Sequence, residues 1–210
     1  MAALTVTDYV LYALAGTHPH VHRRANTQYV IVRVEPSLSS ATIRDRFTLE
    51  LDGEPVPLAD RQPFSWRSET IDVAFAVPKG QTYDGGRVRW DETTRFDLGR
   101  RTLRRLNNPP VFEVSDPAVS PRHVRAGEQI DATVEWTLGN AGEGAGEFGA
   151  SLGSNYLSGA VTVRATLEAG AERAVTATIP IIGDGEVATV RLDWGSGEWT
   201  ADIPVVDDTA

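Results

Sequence analysis

Cysteine is absent from this chain of 210 residues. Its absence excludes disulfide bonds, thiolate metal sites and a cysteine nucleophile. It does not decide the compartment, because it removes only one means of stabilising small secreted folds. Any chemistry must therefore come from the other side chains.

Long apolar segments and a basic amino-terminal start are also missing. No apolar run approaches the length of about 18 residues that spans a membrane, so we expect a protein that does not cross one. The first residues alternate, include Asp8 and lack the basic start of an export signal. We expect that the protein either stays inside the cell or has lost its signal. A lipoprotein anchor would need an amino-terminal cysteine, which this sequence does not contain.

Lysine is almost absent. Lys79 is the one lysine among 20 basic residues, and the formal net charge is −9. Carboxylates hold water and counter-ions well, and arginine is less strongly hydrated than lysine, so this composition is typical of a salt-adapted protein. A GC-rich genome that favours arginine codons explains the same bias, and the sequence leaves both explanations open.

The charge is unevenly distributed along the chain. The residues before Pro109 include 15 basic and 13 acidic side chains, whereas those from Pro109 onward include 5 basic and 16 acidic ones. This asymmetry indicates two domains with different surfaces. Because the second half is strongly acidic and the first is nearly balanced, we expect no nucleic-acid partner.

Alternating apolar and polar residues dominate the rest of the sequence. This period of two predicts strands, since successive side chains of a strand point to opposite faces. Polar turns separate the short runs at the spacing of a β-sandwich, and Asp52-Gly53 is typical of a tight hairpin turn. The predicted strands cover residues 4–14, 28–36, 47–51, 70–77, 88–90, 111–114, 129–138, 160–167, 173–181, 187–194 and 198–206.

Residues 97–109 break this alternation. Their leucines can share part of one face, which favours a short helix, and Pro109 and Pro110 end it because proline lacks an N–H and restricts the preceding residue. We therefore predict an all-β protein. It has two immunoglobulin-like β-sandwich domains, at residues 1–96 and 110–210, joined by this short connector with helical potential.

The second half resembles a known family in its turns and strands. It contains a short strand, a proline, VRAGE at 124–128, an alternating strand, and GNAG at 139–142 where an Asn-Thr-Gly turn is usual. This order resembles a CARDB-type module, an immunoglobulin-like domain of bacterial and archaeal surface proteins. The first half is similar to an uncharacterised immunoglobulin-like lipoprotein domain at QYVIVRVE, FTLELDGE and FAVPKG. The two-domain order resembles hypothetical exported proteins of halophilic archaea, which implies an extracellular or cell-surface location and no particular chemistry.

Two glycine motifs suggest enzymes but lack the context that those enzymes need. Residues 149–153 match G-x-S-x-G, yet a nucleophile elbow requires a strand, a turn and a helix with a downstream histidine, and all four histidines lie upstream. Gly144, Gly146 and Gly149 match a dinucleotide fingerprint, which works within a βαβ unit that this sequence does not predict. We expect a small-residue strand and an inter-strand loop here. We therefore predict neither a catalytic residue nor a cofactor.

His18, His20 and His22 form a candidate metal site. In an extended segment they fall on one side, and imidazole is a ligand for Zn²⁺, Cu²⁺ or Ni²⁺. The neighbouring Arg23 and Arg24 would oppose a cation, so a solvated or packed loop is the other interpretation.

Four arginines form a candidate partner-binding site in the connector: Arg100, Arg101, Arg104 and Arg105. They could bind an acidic protein or polysaccharide, or dock against the acidic second half of the same chain. Trp194 and Trp199 could stack on a sugar ring, or pack against the core. The sequence thus predicts a non-enzymatic, cell-surface or exported interaction or structural protein of unknown partner. The alternative is a metal or ligand carrier that uses the histidine segment.

Overall fold

A computed structural model describes residues 3–13, 20–34, 44–64, 70–91, 94–156 and 160–207. Of the residues that the structure describes, 62% are in strands and 6% in helices, with several sheets and one α-helix among them. The predicted all-β fold is therefore confirmed, and its organisation is that of β-sandwiches. No described helix has the length and apolar character needed to cross a membrane.

The first half contains nine described strands and the helix. Its strands form a sheet in the order β1-β4-β7, a sheet in the order β6-β5-β8-β9, and a separate pair β2-β3. All the pairings are antiparallel. The elements are β1 Ala3–Thr7, β2 Val10–Tyr12, β3 His20–His22, β4 Thr27–Val34, a 3₁₀ turn Arg44–Arg46, β5 Phe47–Leu51, β6 Glu54–Val56, β7 Ile71–Pro78, β8 Gly86–Trp90, β9 Thr94–Asp97 and α1 Arg100–Asn107.

The core of the first half follows the alternation of the sequence. Phe47, Leu49 and Leu51 of β5 are buried, as their alternation predicts, and β4 lies between β1 and β7. Leu106 of α1 is fully buried in the same core. Its carbonyl accepts a hydrogen bond from Gln28 Nε2 over 2.8 Å. The helix therefore belongs to the packing of the first sandwich.

The second half forms a second sandwich around its own core. One sheet has the order β10-β12-β15, and the other has the order β11-β17-β16-β13-β14 with β11 parallel to β17. The core includes Trp136, Phe148 and Ile179. The strands are β10 Phe112–Ser120, β11 Val124–Arg125, β12 Gln129–Asn140, β13 Gly146–Ser154, β14 Val161–Leu167, β15 Glu172–Ile182, β16 Val187–Asp193 and β17 Glu198–Val206.

The tight turn at Asp52-Gly53 is confirmed. Both residues have positive φ, 50° and 90°, between the paired residues Leu51 and Glu54. Asp52 also accepts hydrogen bonds at Oδ1 from the backbone N–H groups of Asp84 and Gly85, over 3.0 and 2.8 Å. The carboxylate therefore ties this turn to the start of β8.

Two of the segments that differ from their predicted form lie near the contact between the two halves. The single strand expected over residues 4–14 is interrupted at Asp8 and Tyr9, between β1 and β2, where the Asp8 carboxylate is buried in an ionic contact with Arg23. The glycine-rich segment expected as a loop is extended from Gly146 onward. There Phe148, Ala150 and Leu152 alternate into the core, and the small residues between them conceal the pattern in the sequence.

Candidate binding site

Three charged side chains of the first half meet where it packs against the second half. We call Asp8, Arg23 and Lys79 the seam cluster. Arg23 Nε donates to Asp8 Oδ2 over 3.0 Å and Nη2 donates to Asp8 Oδ1 over 3.3 Å, while Lys79 Nζ lies 4.0 Å from Asp8 Oδ2. The side chains of Arg23 and Asp8 are 6% and 3% exposed. Salt therefore screens this cluster much less than a surface ion pair.

The seam cluster reaches backbone carbonyls of the second half. Lys79 Nζ donates to Pro110 O over 3.2 Å, and Arg23 Nη2 donates to Gly149 O over 3.5 Å. The Arg23 guanidinium also lies 5.5 Å from the ring centre of Phe148, within cation–π range. Residues 108–111, between α1 and β10, form the linker. Two cations of the first sandwich are thus anchored on this linker and on β13.

The electrostatic balance of Lys79 depends on Asp8. Burial lowers the pKa of the Lys79 ammonium, the Asp8 carboxylate raises it, and Arg23 lowers it further. Loss of the carboxylate would leave two neighbouring cations in a desolvated place, which disfavours the charged form of the lysine. Asp8 is therefore the central member of the cluster.

Tyr9 also contacts the second half, at the seam where the two sandwiches pack together. Its hydroxyl donates to the Glu147 carboxylate on β13. An added Cβ at Gly149 would stand 2.6 Å from the Tyr9 ring, so this close approach requires glycine. Burial, and next the bond to Glu147, raises the pKa of Tyr9 above its ordinary value, which keeps the hydroxyl protonated as a donor.

Helix α1 exposes the four arginines that the sequence singled out. Leu106 faces the core, whereas Arg100, Arg101, Arg104 and Arg105 are exposed. Arg104 and Arg105 lie in the last turn, where a cation complements the helix dipole. None of the four guanidiniums forms an ion pair with a carboxylate among the residues that the structure describes.

A cleft of about 570 Å³ lies between α1 and the loop that precedes β13, and we call it the arginine cleft. The first half and the linker contribute one wall, and the second half contributes the other. Three guanidiniums and one carboxylate line it, so its net charge is positive. Its lining residues are Arg101, Arg104, Arg105, Asn108, Glu143, Gly144 and Ala145.

Two further clefts adjoin it along β1. The nearer, of about 280 Å³, shares Arg105 and Ala145 with the arginine cleft. The farther, of about 260 Å³, holds Arg33 and Asp72, joined by two hydrogen bonds of 2.8 Å. In the farther cleft the charge of Arg33 is balanced by Asp72. In the nearer cleft two carboxylates, of Glu147 and Glu168, accompany the single Arg105. Positive charge is therefore concentrated in the arginine cleft, at the α1 end.

Asn140 holds the loop that forms the second wall of the arginine cleft. Its side-chain oxygen accepts from the backbone N–H groups of Val111 and Gly142, both over 3.1 Å. Its Nδ2 donates to Gly144 O over 2.9 Å and to Glu168 O over 3.1 Å. Asn140 is 2% exposed. The segment expected to be a free loop is therefore fixed to the linker by one buried amide.

The metal hypothesis involves one residue, His18, that lies outside the described residues. His20 and His22 lie on β3, with ring centres 5.7 and 6.1 Å from the ring of Tyr12. Burial, and then the Arg61 guanidinium, lowers the pKa of His22. The described part of the chain contains no group of three or more histidine or carboxylate side chains suited to a metal ion. The metal-carrier alternative stays a prediction.

The G-x-S-x-G segment lies within β13. It is continuous extended backbone paired with β14 and β16, so the strand–turn–helix geometry of a nucleophile elbow is absent from these residues. Ser151 is 6% exposed, and its hydroxyl has no hydrogen-bond partner in the described part of the chain. The small residues alternate with the core side chains, and Gly149 accommodates Tyr9 of the first half.

The two tryptophans near the carboxyl terminus are packing residues. Trp194 and Trp199 flank the hairpin between β16 and β17, where Asp193 pairs with Glu198. Both rings are partly buried against the second core. Their arrangement agrees with the packing interpretation of the sequence.

No family model matches this chain, and no curated protein matches it. A β-glucosidase from Erythrobacter marinus is similar in structure over 46% of this chain and 16% of that one, with 13% identity and a TM-score of 0.37. A β-glucosidase from Listeria innocua matches over 47% of this chain and 16% of that one, with 15% identity and a TM-score of 0.36. A Bacteroides uniformis β-glucuronidase 2 matches over 94% of this chain and 28% of that one, with 9% identity and a TM-score of 0.29. Likeness at these TM-scores carries no argument about activity.

The sequence did not identify the seam cluster or Asn140 as parts of a site. Asp8 offers a signal, because it continues the inward phase of Leu4 and Val6, where a carboxylate must find a partner. Its partners Arg23 and Lys79 are distant in sequence, so the pairing was not visible before folding.

Proposed function

We propose that this protein is a non-enzymatic interaction module, exported or at the cell surface, that binds an acidic partner through the arginine cleft. The observation that carries the proposal is the group of exposed arginines on α1, which face the cleft without carboxylate partners among the described residues. Arg101, Arg104 and Arg105 line the cleft, and Arg100 extends the same basic helix.

The chemistry of guanidinium groups supports an oxyanion partner. Arginine presents donors in a planar fork that matches a carboxylate, sulfate or phosphate group, and it is weakly hydrated. Residues three and four apart on a helix are neighbours, so Arg101, Arg104 and Arg105 present their charges together. The whole chain has a net charge of −9 even with these arginines included, so the rest of it is acidic. An acidic partner would therefore be attracted mainly to this patch.

The proposed location comes from the resemblance of each half to immunoglobulin-like domains of surface proteins and lipoproteins. Such sandwiches commonly bind through loops held by a rigid scaffold. The arginine cleft fits that use, since the loop before β13 forms one wall.

Binding of two polyanions tests the proposal. We expect isothermal titration calorimetry to detect binding of poly-L-glutamate or dextran sulfate, and no binding of neutral dextran. The triple variant Arg101→Gln, Arg104→Gln, Arg105→Gln should weaken binding at least tenfold, and added salt should weaken the wild type.

The matched control removes three exposed arginines elsewhere: Arg95→Gln, Arg122→Gln, Arg173→Gln. Both triple variants have the same net charge, so a difference between them reports position. We expect less than a twofold change for the control. Equal losses in both variants, or no polyanion binding by the wild type, would contradict the proposed function.

A further inference from the structure

We infer that the seam cluster positions the arginine cleft, so that anion binding depends on Asp8 and Lys79 although neither residue lines the cleft. The inference rests on the proposed function, since it concerns the same cleft. It assigns Asp8, Arg23 and Lys79 as positioning residues, which act through the arrangement of the two sandwiches.

The arginine cleft is formed by both halves of the chain. The guanidiniums of Arg101, Arg104 and Arg105 come from a helix that packs into the first core. The opposite wall, Glu143 to Ala145, precedes β13 of the second sandwich. The distance between the walls is therefore set by how the two sandwiches sit against each other.

Helix α1 is fixed to the first sandwich near Lys79. Asn107, the last helical residue, exchanges hydrogen bonds with the backbone of Tyr83, over 2.9 and 3.0 Å. Lys79 follows β7 four residues before that tyrosine, and Tyr83 OH bonds back to Pro78 O over 3.3 Å. The end of α1, which carries the arginines of the cleft, and the segment that contains Lys79 are thus joined by hydrogen bonds through Tyr83.

Three hydrogen bonds and the peptide bond between Pro110 and Val111 connect the seam cluster to the opposite wall. Lys79 Nζ donates to Pro110 O over 3.2 Å. The next residue, Val111, donates its N–H to Asn140 Oδ1, and Asn140 Nδ2 donates to Gly144 O, a residue of the cleft lining. This series joins both walls through Lys79, whose charge is in turn supported by Asp8.

Disrupting the seam cluster should therefore allow the two sandwiches to take up a wider range of relative arrangements. A smaller fraction of the molecules would then have a formed arginine cleft. The apparent dissociation constant rises in inverse proportion to the competent fraction. If that fraction falls to about a tenth, the affinity for a polyanion falls about tenfold with every cleft residue intact.

The test combines a distance measurement with binding. The chain has no cysteine, so Thr48→Cys and Thr200→Cys place spin labels on exposed positions of the first and second sandwich without competing thiols. Double electron–electron resonance measures the distance between the two spin labels, and titration measures the affinity for poly-L-glutamate. Both are compared among the doubly labelled parent, its variants Asp8→Asn and Lys79→Met, and the control variant Asp60→Asn. Asp60 pairs with Arg24 at the surface, where the two side chains are 75% and 65% exposed.

We expect one narrow distance distribution in the parent and in Asp60→Asn, and a broadened one with about tenfold weaker binding in Asp8→Asn and Lys79→Met. Lys79→Met keeps the apolar stem, so it decides the outcome if Asp8→Asn fails to fold by circular dichroism. A broadened distribution with unchanged affinity would overturn the inference and leave the proposed function standing. A narrow distribution in a folded variant would also overturn it. Absence of binding by the parent would instead overturn the proposed function.

Discussion

Asn140 shows how one buried amide can organise a binding surface. It joins the linker, the loop before β13 and the turn after β14 through its side chain. A buried polar group whose hydrogen bonds are all formed stabilises the fold. If the group is removed, each buried donor or acceptor that loses its hydrogen bond costs free energy. In the sequence this asparagine resembled an altered turn, and its contacts came from segments up to 29 residues away.

We predict that Asn140→Ala lowers the free energy of unfolding by about 2–3 kcal/mol, because the variant leaves buried N–H and C=O groups without partners. Urea unfolding followed by tryptophan fluorescence measures the change. Asn155→Ala is the control, since Asn155 is exposed and its amide makes one bond, to Ile182 O over 3.1 Å. A loss below about 1 kcal/mol is expected there, and equal losses in both variants would refute the role of Asn140.

At the scale of elements, β13 has two different faces. Phe148 and Ala150 enter the second core, whereas the alternate positions hold the small residues Gly149, Ser151 and Gly153. That small-residue row explains why the sequence matched enzyme motifs without their context. The close approach of Tyr9 accounts for the glycine at 149.

We predict that Gly149→Ala destabilises the seam, because its Cβ would stand 2.6 Å from the Tyr9 ring. The expected loss is about 1–3 kcal/mol of unfolding free energy, as for other overpacked sites. Gly153→Ala is a control in the same strand, where an added Cβ meets no atom within 4 Å. It should be neutral or stabilising in the same urea experiment. Similar destabilisation by both alanines would show that strand backbone, and not the seam contact, requires glycine.

For the whole molecule, the balance of charge is the property with the widest consequences. A net charge of −9 destabilises the compact state by self-repulsion, and the acidic residues are concentrated in the second half. Salt screens exposed charges separated by more than about 8–10 Å at physiological strength, but acts little on the buried seam cluster. The two kinds of charge therefore respond differently to salt.

We predict that the urea midpoint of unfolding rises between low and molar KCl, as expected for a salt-adapted chain. A variant that neutralises exposed carboxylates of the second sandwich, Glu135→Gln, Glu172→Gln, Glu186→Gln, should show a smaller rise, since it has less repulsion to screen. Stability that stays flat or falls with KCl in the wild type would count against salt adaptation.

The sequence determined the elements of this protein, because period-two patterning is local and its physical cause is the pleat of each strand. Phe47, Leu49 and Leu51 alternate inward as written in the chain, and Asp52-Gly53 turns where its tolerance of positive φ predicts. The arginines of α1 were visible because helical spacing is also a local property of the sequence.

Only the tertiary structure decided the site. Its parts join residues that are far apart in sequence. These parts are the seam cluster, the hydrogen bonds of Asn140 to the linker, and the second wall of the arginine cleft. A buried charge or amide needs a partner, but burial alone does not say which one, because many distant residues could satisfy it. That choice was made when the two cores packed together and brought Asp8, Lys79 and Pro110 to one place.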